Sequence, residues 1–174
     1  MNKELLEFLK SRRSIRAFKG EQIAADALDA VLDAGVYAPT GMGKQSPVVV
    51  AVQDRETREQ LVRMNAQVMG ASGDPYYGAP TILLVFGPKS VETYLKDACN
   101  VLTYLLLAAH AAGLGAVWID REREMFETEE GRELLRKWGL PDGLTGVGAV
   151  ALGYADGEAP RPAARKKDYV VKFV

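Results

Sequence analysis

The stretch from residue 101 to residue 119, Val-Leu-Thr-Tyr-Leu-Leu-Leu-Ala-Ala-His-Ala-Ala-Gly-Leu-Gly-Ala-Val-Trp-Ile, decides how this chain is organised. Its middle, Leu105-Leu106-Leu107-Ala108-Ala109, is apolar on every side of a helix and predicts a central, buried one. Thr103, Tyr104, His110 and the interrupting glycines argue against a membrane span. Gly113 and Gly115 stop the helix, and Ala116 to Ile119 predicts a buried strand. A buried helix that runs straight into a buried strand puts helices and sheet in one layered unit, α+β or α/β.

Working outward, the central helix extends over residues 91–112 and is preceded by a strand at residues 81–86. Val48 to Val52 is a run of valines broken only by Ala51, which predicts a fully buried strand. Residues 55–69 and 24–37 have helical patterning, the second with Leu28, Val31, Leu32 and Gly35 on one face. Between helix and strand, residues 70–80 are rich in Gly, Pro and Tyr and predict a mobile surface loop. Tyr76 and Tyr77 in it suit either a substrate lid or packing. Downstream come a charged helix over 129–138 and a strand over 146–153. The charge run from Glu122 to Glu133 is expected to be a solvated helix face. At the start, Asn2 caps a helix through Lys10 with Leu5, Leu6 and Leu9 on its apolar side.

The chain has 174 residues, 48% hydrophobic and 26% charged, which predicts one globular domain over residues 1–174. Lys plus Arg number 22 and Asp plus Glu 23, so the basic surplus that nucleic-acid binding requires is missing. One cysteine, Cys99, and one histidine, His110, leave no internal disulfide, no His or thiolate metal cluster and no ready Ser-His-Asp triad. The opening residues lack an apolar run after a basic start, so no signal peptide is expected, nor a membrane anchor, and the expected location is cytoplasmic. Phosphate loops, a strand-linked GxGxxG and a nucleophile elbow are all missing.

What remains is two clusters of cations: Arg12, Arg13 and Arg16 near the start, and Arg161, Arg165, Lys166 and Lys167 near the end. In an extended backbone Arg12, Ser14 and Arg16 share a face. Guanidinium forks suit a phosphate, and Ser14 adds a hydroxyl donor. The alternative for both clusters is solvated surface charge. His110 and Cys99 are expected to be packed structural residues.

Arg12-Arg13-Ser14-Ile15-Arg16-Ala17-Phe18 resembles the R-R-S-x-R-x-F opening of the FMN-dependent nitroreductase family. Ala38-Pro39-Thr40-Gly41-Met42-Gly43-Lys44-Gln45 resembles its A-P-S-x-x-N-x-Q loop, and Asp97 through Ile119 its central D…LLLAAHALGLGxxWI stretch. Ala151-Leu152-Gly153-Tyr154 with the basic tail resembles its A-L-G-Y-P…R-K ending. The four matches come in the family's order and span nearly the whole chain.

The resemblance implies an α+β fold, a mainly antiparallel central sheet flanked by helices, and an intertwined homodimer holding two FMN molecules at its interface. It implies that Arg12, Ser14 and Arg165 grip the FMN phosphate, with Arg13 and Lys166 in the same motifs. Arg16 is implied near the N1/O2 edge of the ring. Pro39, Thr40 and Gly41 are implied to line the flavin from the partner subunit, and Gln45 to contact the ribityl or phosphate region. Trp118 and Ile119 are implied beside the flavin, and the Asp120 backbone N–H opposite flavin N5. The implied activity is ping-pong transfer of hydride from NAD(P)H to a small electron-poor acceptor, a nitroaromatic or quinone, with the cofactor carrying the chemistry and no catalytic side chain. A non-enzymatic flavin-binding or sensory protein is the alternative, as is a specialised flavin enzyme of the same fold; the latter ranks lower because no extra lid segment is present.

Three positions depart from the family's pattern. Gly43 stands in place of Asn, no aromatic follows Gln45-Ser46-Pro47, and Thr103-Tyr104 replaces Gln-Asn before the leucine run. All three concern the pocket walls and leave the phosphate motif intact.

Overall fold

A computed structural model describes residues 1–166 and 169–173. Lys167, singled out above, lies outside the described residues, as does Val174, the last residue of an apolar C-terminal stretch that begins at Tyr169.

The elements run α1 (Lys3–Ser11), α2 (Ala25–Val36), a single 3₁₀ turn (Gly41–Gly43), β1 (Val48–Val52), α3 (Arg55–Met69), β2 (Thr81–Pro88), α4 (Tyr94–Ala111), β3 (Gly115–Ile119), α5 (Glu122–Glu127), α6 (Glu129–Lys137) and β4 (Leu144–Gly153). The four strands form one antiparallel sheet in the order β1-β2-β4-β3. This is the α+β architecture that the resemblance implied.

Alternation along the strands divides the core in two. Leu83 and Val85 of β2 and Val150 and Leu152 of β4 face α2 and α4. Ile82, Leu84 and Phe86, with Ala149 and Ala151, face α3, α5 and α6. The sheet therefore sits between two helical layers, and β2 and β4 are buried on both faces. Where α2 crosses α4, Gly35 permits the approach: a Cβ there would lie 2.6 Å from Leu105 Cδ2.

Three expectations need correction. The β1 strand is not fully buried: Val48 to Val50 are half-buried and Ala51 is exposed, because β1 is the sheet's edge. The 70–80 loop is pinned at its second half. Asp74 accepts from the Tyr76 and Gly78 amides at 2.8 and 3.0 Å and pairs with Arg58, and Tyr76 is fully buried. Glu122, expected in solvent, is fully buried at the start of α5, a helix the charge pattern concealed.

Asn2 caps α1 as predicted, accepting from the Leu5 amide at 3.1 Å. No residue of α1 is buried, however: Leu5, Leu6 and Leu9 are 60, 42 and 51% exposed. No helix among the described residues is long and apolar enough to cross a membrane.

Candidate functional site

After α1 the chain is extended and lies along β3. Ser14 bridges Ala116 in parallel fashion, and the Ile15 amide donates to the Ala116 carbonyl at 3.0 Å. Gly115 makes this possible, since a Cβ there would lie 2.9 Å from Ile15. Alternation then places Arg12, Ser14 and Arg16 in a row, with about 13 Å of backbone from first to last.

The row begins beside a cavity of about 300 Å³ lined by Arg12, Arg13, Leu106, His110 and Ala159, among others. Arg12 is half-buried there, and its Nη1 is shielded from water without a hydrogen-bond partner. Burial and the neighbouring Arg13 charge lower its pKa from the ordinary guanidinium value. A buried donor with nothing to bond and a second cation beside it fits an anionic ligand. Arg13 is otherwise engaged: its Nη1 donates to the Lys10 and Arg12 carbonyls, both at 2.7 Å, closing the end of α1. His110 stacks on Phe8 and lies 2.7 Å from Ser11 Oγ, a packed position in keeping with the expectation.

A larger cavity of about 450 Å³ is walled by Met69 and residues 71–75, Tyr77, and residues 118–121. Its volume suits a small-molecule ligand. Arg16 is not itself a lining residue; its Cζ lies 5.9 Å from the centre of the ring of Tyr77, which is one. Trp118 is half-buried, its indole laid across Gly148 of β4, while Ile119 is buried and Asp120 exposed. The backbone turns sharply here, since Arg121 has φ of 90° and Tyr77 57°, left-handed values that side chains disfavour.

The third group, Pro39 to Gln45, is anchored at the other end of α4. The Gly41 amide donates to buried Asp97 at 2.9 Å, Asn100 donates to the Pro39 carbonyl at 3.0 Å, and the Gln45 amide donates to Thr40 Oγ1 at 3.0 Å. Asp97 belongs to the first half of α4 and His110, beside Arg12, to its last turn. Thirteen residues of helix separate the two anchors by about 20 Å. Within one protomer, then, Gly41 and Arg12 sit far apart. Arg165 and Lys166 are exposed and join no ion pair among the described residues. The 71–75 wall of the larger cavity escaped sequence reasoning because a Gly/Pro loop carries no periodic signal. Asn65 and Glu122, which lie beneath the 120–121 turn, escaped it because each resembles an ordinary surface residue.

Residues 9–76 and 68–154 match the Nitroreductase family model. A nitroreductase from Bacteroides fragilis, solved with bound FMN, is 29% identical, and 98% of each chain is covered with a TM-score of 0.88. The FMN reductase [NAD(P)H] of Bacillus subtilis is 26% identical over 91% of this chain and 69% of its own. The iodotyrosine deiodinase of Thermotoga neapolitana is 25% identical over 98% of both. With the antiparallel sheet, the Arg12–Arg16 row and a family match over most of its length, the chain belongs to the nitroreductase family.

Proposed function

We propose that the protein is an FMN-dependent NAD(P)H oxidoreductase that reduces small electron-poor acceptors, nitroaromatics or quinones. The observation that carries this is Arg12, whose shielded Nη1 has no partner, on the same extended segment as Arg16, which reaches the Tyr77 ring at the wall of a ligand-sized cavity. Bound FMN supplies the atom, N5, that accepts and returns the hydride.

The chain's own residues hold and tune that group. Arg12 and Ser14 grip the phosphate, and Arg165 and Lys166 reach it from the tail. Arg16 places a fixed positive charge beside the ring and favours electron uptake there. Trp118 and Ile119 form the floor, and the Asp120 amide donates toward the reacting edge. Donor and acceptor occupy the same cavity in turn, so ping-pong kinetics are expected.

Pro39, Thr40, Gly41 and Gln45 serve the partner's site, which makes the protein a homodimer with two sites. Support comes from the 20 Å separation along α4 and from the apolar surface of α1. The tail adds to that surface, with Tyr169, Val170, Val171 and Phe173 all more than 60% exposed.

Purified protein assayed for NADH or NADPH consumption with nitrofurazone or menadione tests the activity. Turnover supports the proposal, and flavin-loaded protein inert to both donors contradicts it. Reductive dehalogenation is the second reading, favoured by the similarity to the Thermotoga deiodinase. Iodotyrosine turnover in place of nitro reduction would establish it.

A further inference from the structure

A polar cluster lies beneath the Asp120–Arg121 turn, and the proposed chemistry leaves it without a task. Asn65 from α3, Tyr76 from the 70–80 loop and Glu122 from the first turn of α5 are each fully buried. Asn65 Nδ2 donates to the Asp120 carbonyl at 3.0 Å and to the Tyr76 hydroxyl at 3.4 Å. The Tyr76 hydroxyl donates to Glu122 Oε1 at 3.1 Å and lies 3.8 Å from Met125 Sδ. Asn65 Oδ1 and Glu122 Oε2 have no partner.

Such an arrangement is a costly way to stabilise a fold. Buried polar atoms without partners are costly, and three apolar side chains would fill the same space more cheaply. Burial also pushes the Glu122 carboxyl up to about 8, so the acid is neutral at pH 7. Asp120 and Glu124 oppose its ionisation, as Glu122 and Asp74 oppose that of Tyr76. The cluster is tied by hydrogen bond to the Asp120–Arg121 turn, an exposed part of the larger cavity's wall in which Arg121 holds a left-handed φ.

Taking the FMN site above as given, we infer that Asn65, Tyr76 and Glu122 are positioning residues that lock the Asp120–Arg121 turn and so set how its backbone amides meet the flavin ring. They act on the reduction potential and the rate, and not on flavin retention, which belongs to the distant phosphate grip.

The test compares Tyr76→Phe, Asn65→Leu, Glu122→Leu and Glu122→Gln as FMN-loaded dimers. Flavin content, reduction potential by dye equilibration, and kcat and KM are measured, with hydrogen exchange of the 119–122 amides in flavin-free protein. The first three variants are expected to keep their flavin, shift the potential, exchange faster at 119–122 and lose about 10- to 100-fold in kcat with KM little changed. Glu122→Gln, a neutral acceptor for the Tyr76 hydroxyl, is expected to recover most of the loss. Folded variants with wild-type potential, kcat and exchange would overturn the inference, as would loss of fold in all three disruptive variants, which would give the cluster to stability alone. Wild-type protein that binds no FMN would instead remove the site on which the inference rests.

Discussion

At the scale of single residues, Glu122 shows how far position overrides type. Its sequence neighbours are charged and solvated, yet Gly146 of β4 packs against its backbone and Tyr76 covers its carboxyl. Because its pKa rises from 4.5 in the open chain to about 8 in the fold, the native state holds a proton that the unfolded state has released. Its contribution to stability is complete below pH 4.5 and is lost as pH rises toward 8. Melting temperatures of flavin-free protein should therefore fall across that window and level off above it. The Glu122→Gln protein should show a flatter profile; equal slopes for the two would place the Glu122 pKa elsewhere.

At the scale of elements, the extended 12–18 segment depends on Gly115. Gly115→Val would drive a side chain into Ile15 and lift the arginine row from β3. The expected result is FMN affinity weakened about tenfold or more, from loss of charge-assisted hydrogen bonds, with the far-ultraviolet circular dichroism unchanged. Unaltered affinity by flavin fluorescence titration would show that the row does not need this strand.

Elements were the most legible level of the sequence. The bounds of α3 and β1 coincide with those expected from patterning, and Asn2 caps α1 where its side chain allowed. The edge placement of β1 was not legible, because a valine run looks the same at the centre of a sheet and at its rim. The six-residue α5 was too short and too charged to show a period. Antiparallel pairing came from the family resemblance, and the strand order from the structure alone. In the candidate site, the Arg12–Ser14–Arg16 alternation was visible in the chain itself. The 71–75 wall and the cluster under the turn depend on long-range packing, which no local pattern encodes.

At the scale of the whole molecule, one protomer leaves its apolar surface and its 39–45 loop without occupation. Leu5, Leu6 and Leu9 form an exposed apolar face, Tyr104 stands out from α4, and the edge of β1 offers unpaired backbone groups. The proposed dimer would give the α1 face and Tyr104 a partner. Leu6→Glu with Leu9→Glu should convert the dimer to monomer by light scattering and remove FMN in the same step, since each site draws on two chains. A monomer that keeps full flavin content would contradict the shared site.

In the proposed site, guanidinium groups from both ends of the chain close on one flavin phosphate. Flavin titration of the wild-type, Arg12→Ala and Arg165→Ala proteins tests it most directly. The first is expected to bind tightly and stoichiometrically, and each variant about 10- to 100-fold more weakly. Variants that bind flavin as tightly as the wild type would contradict it.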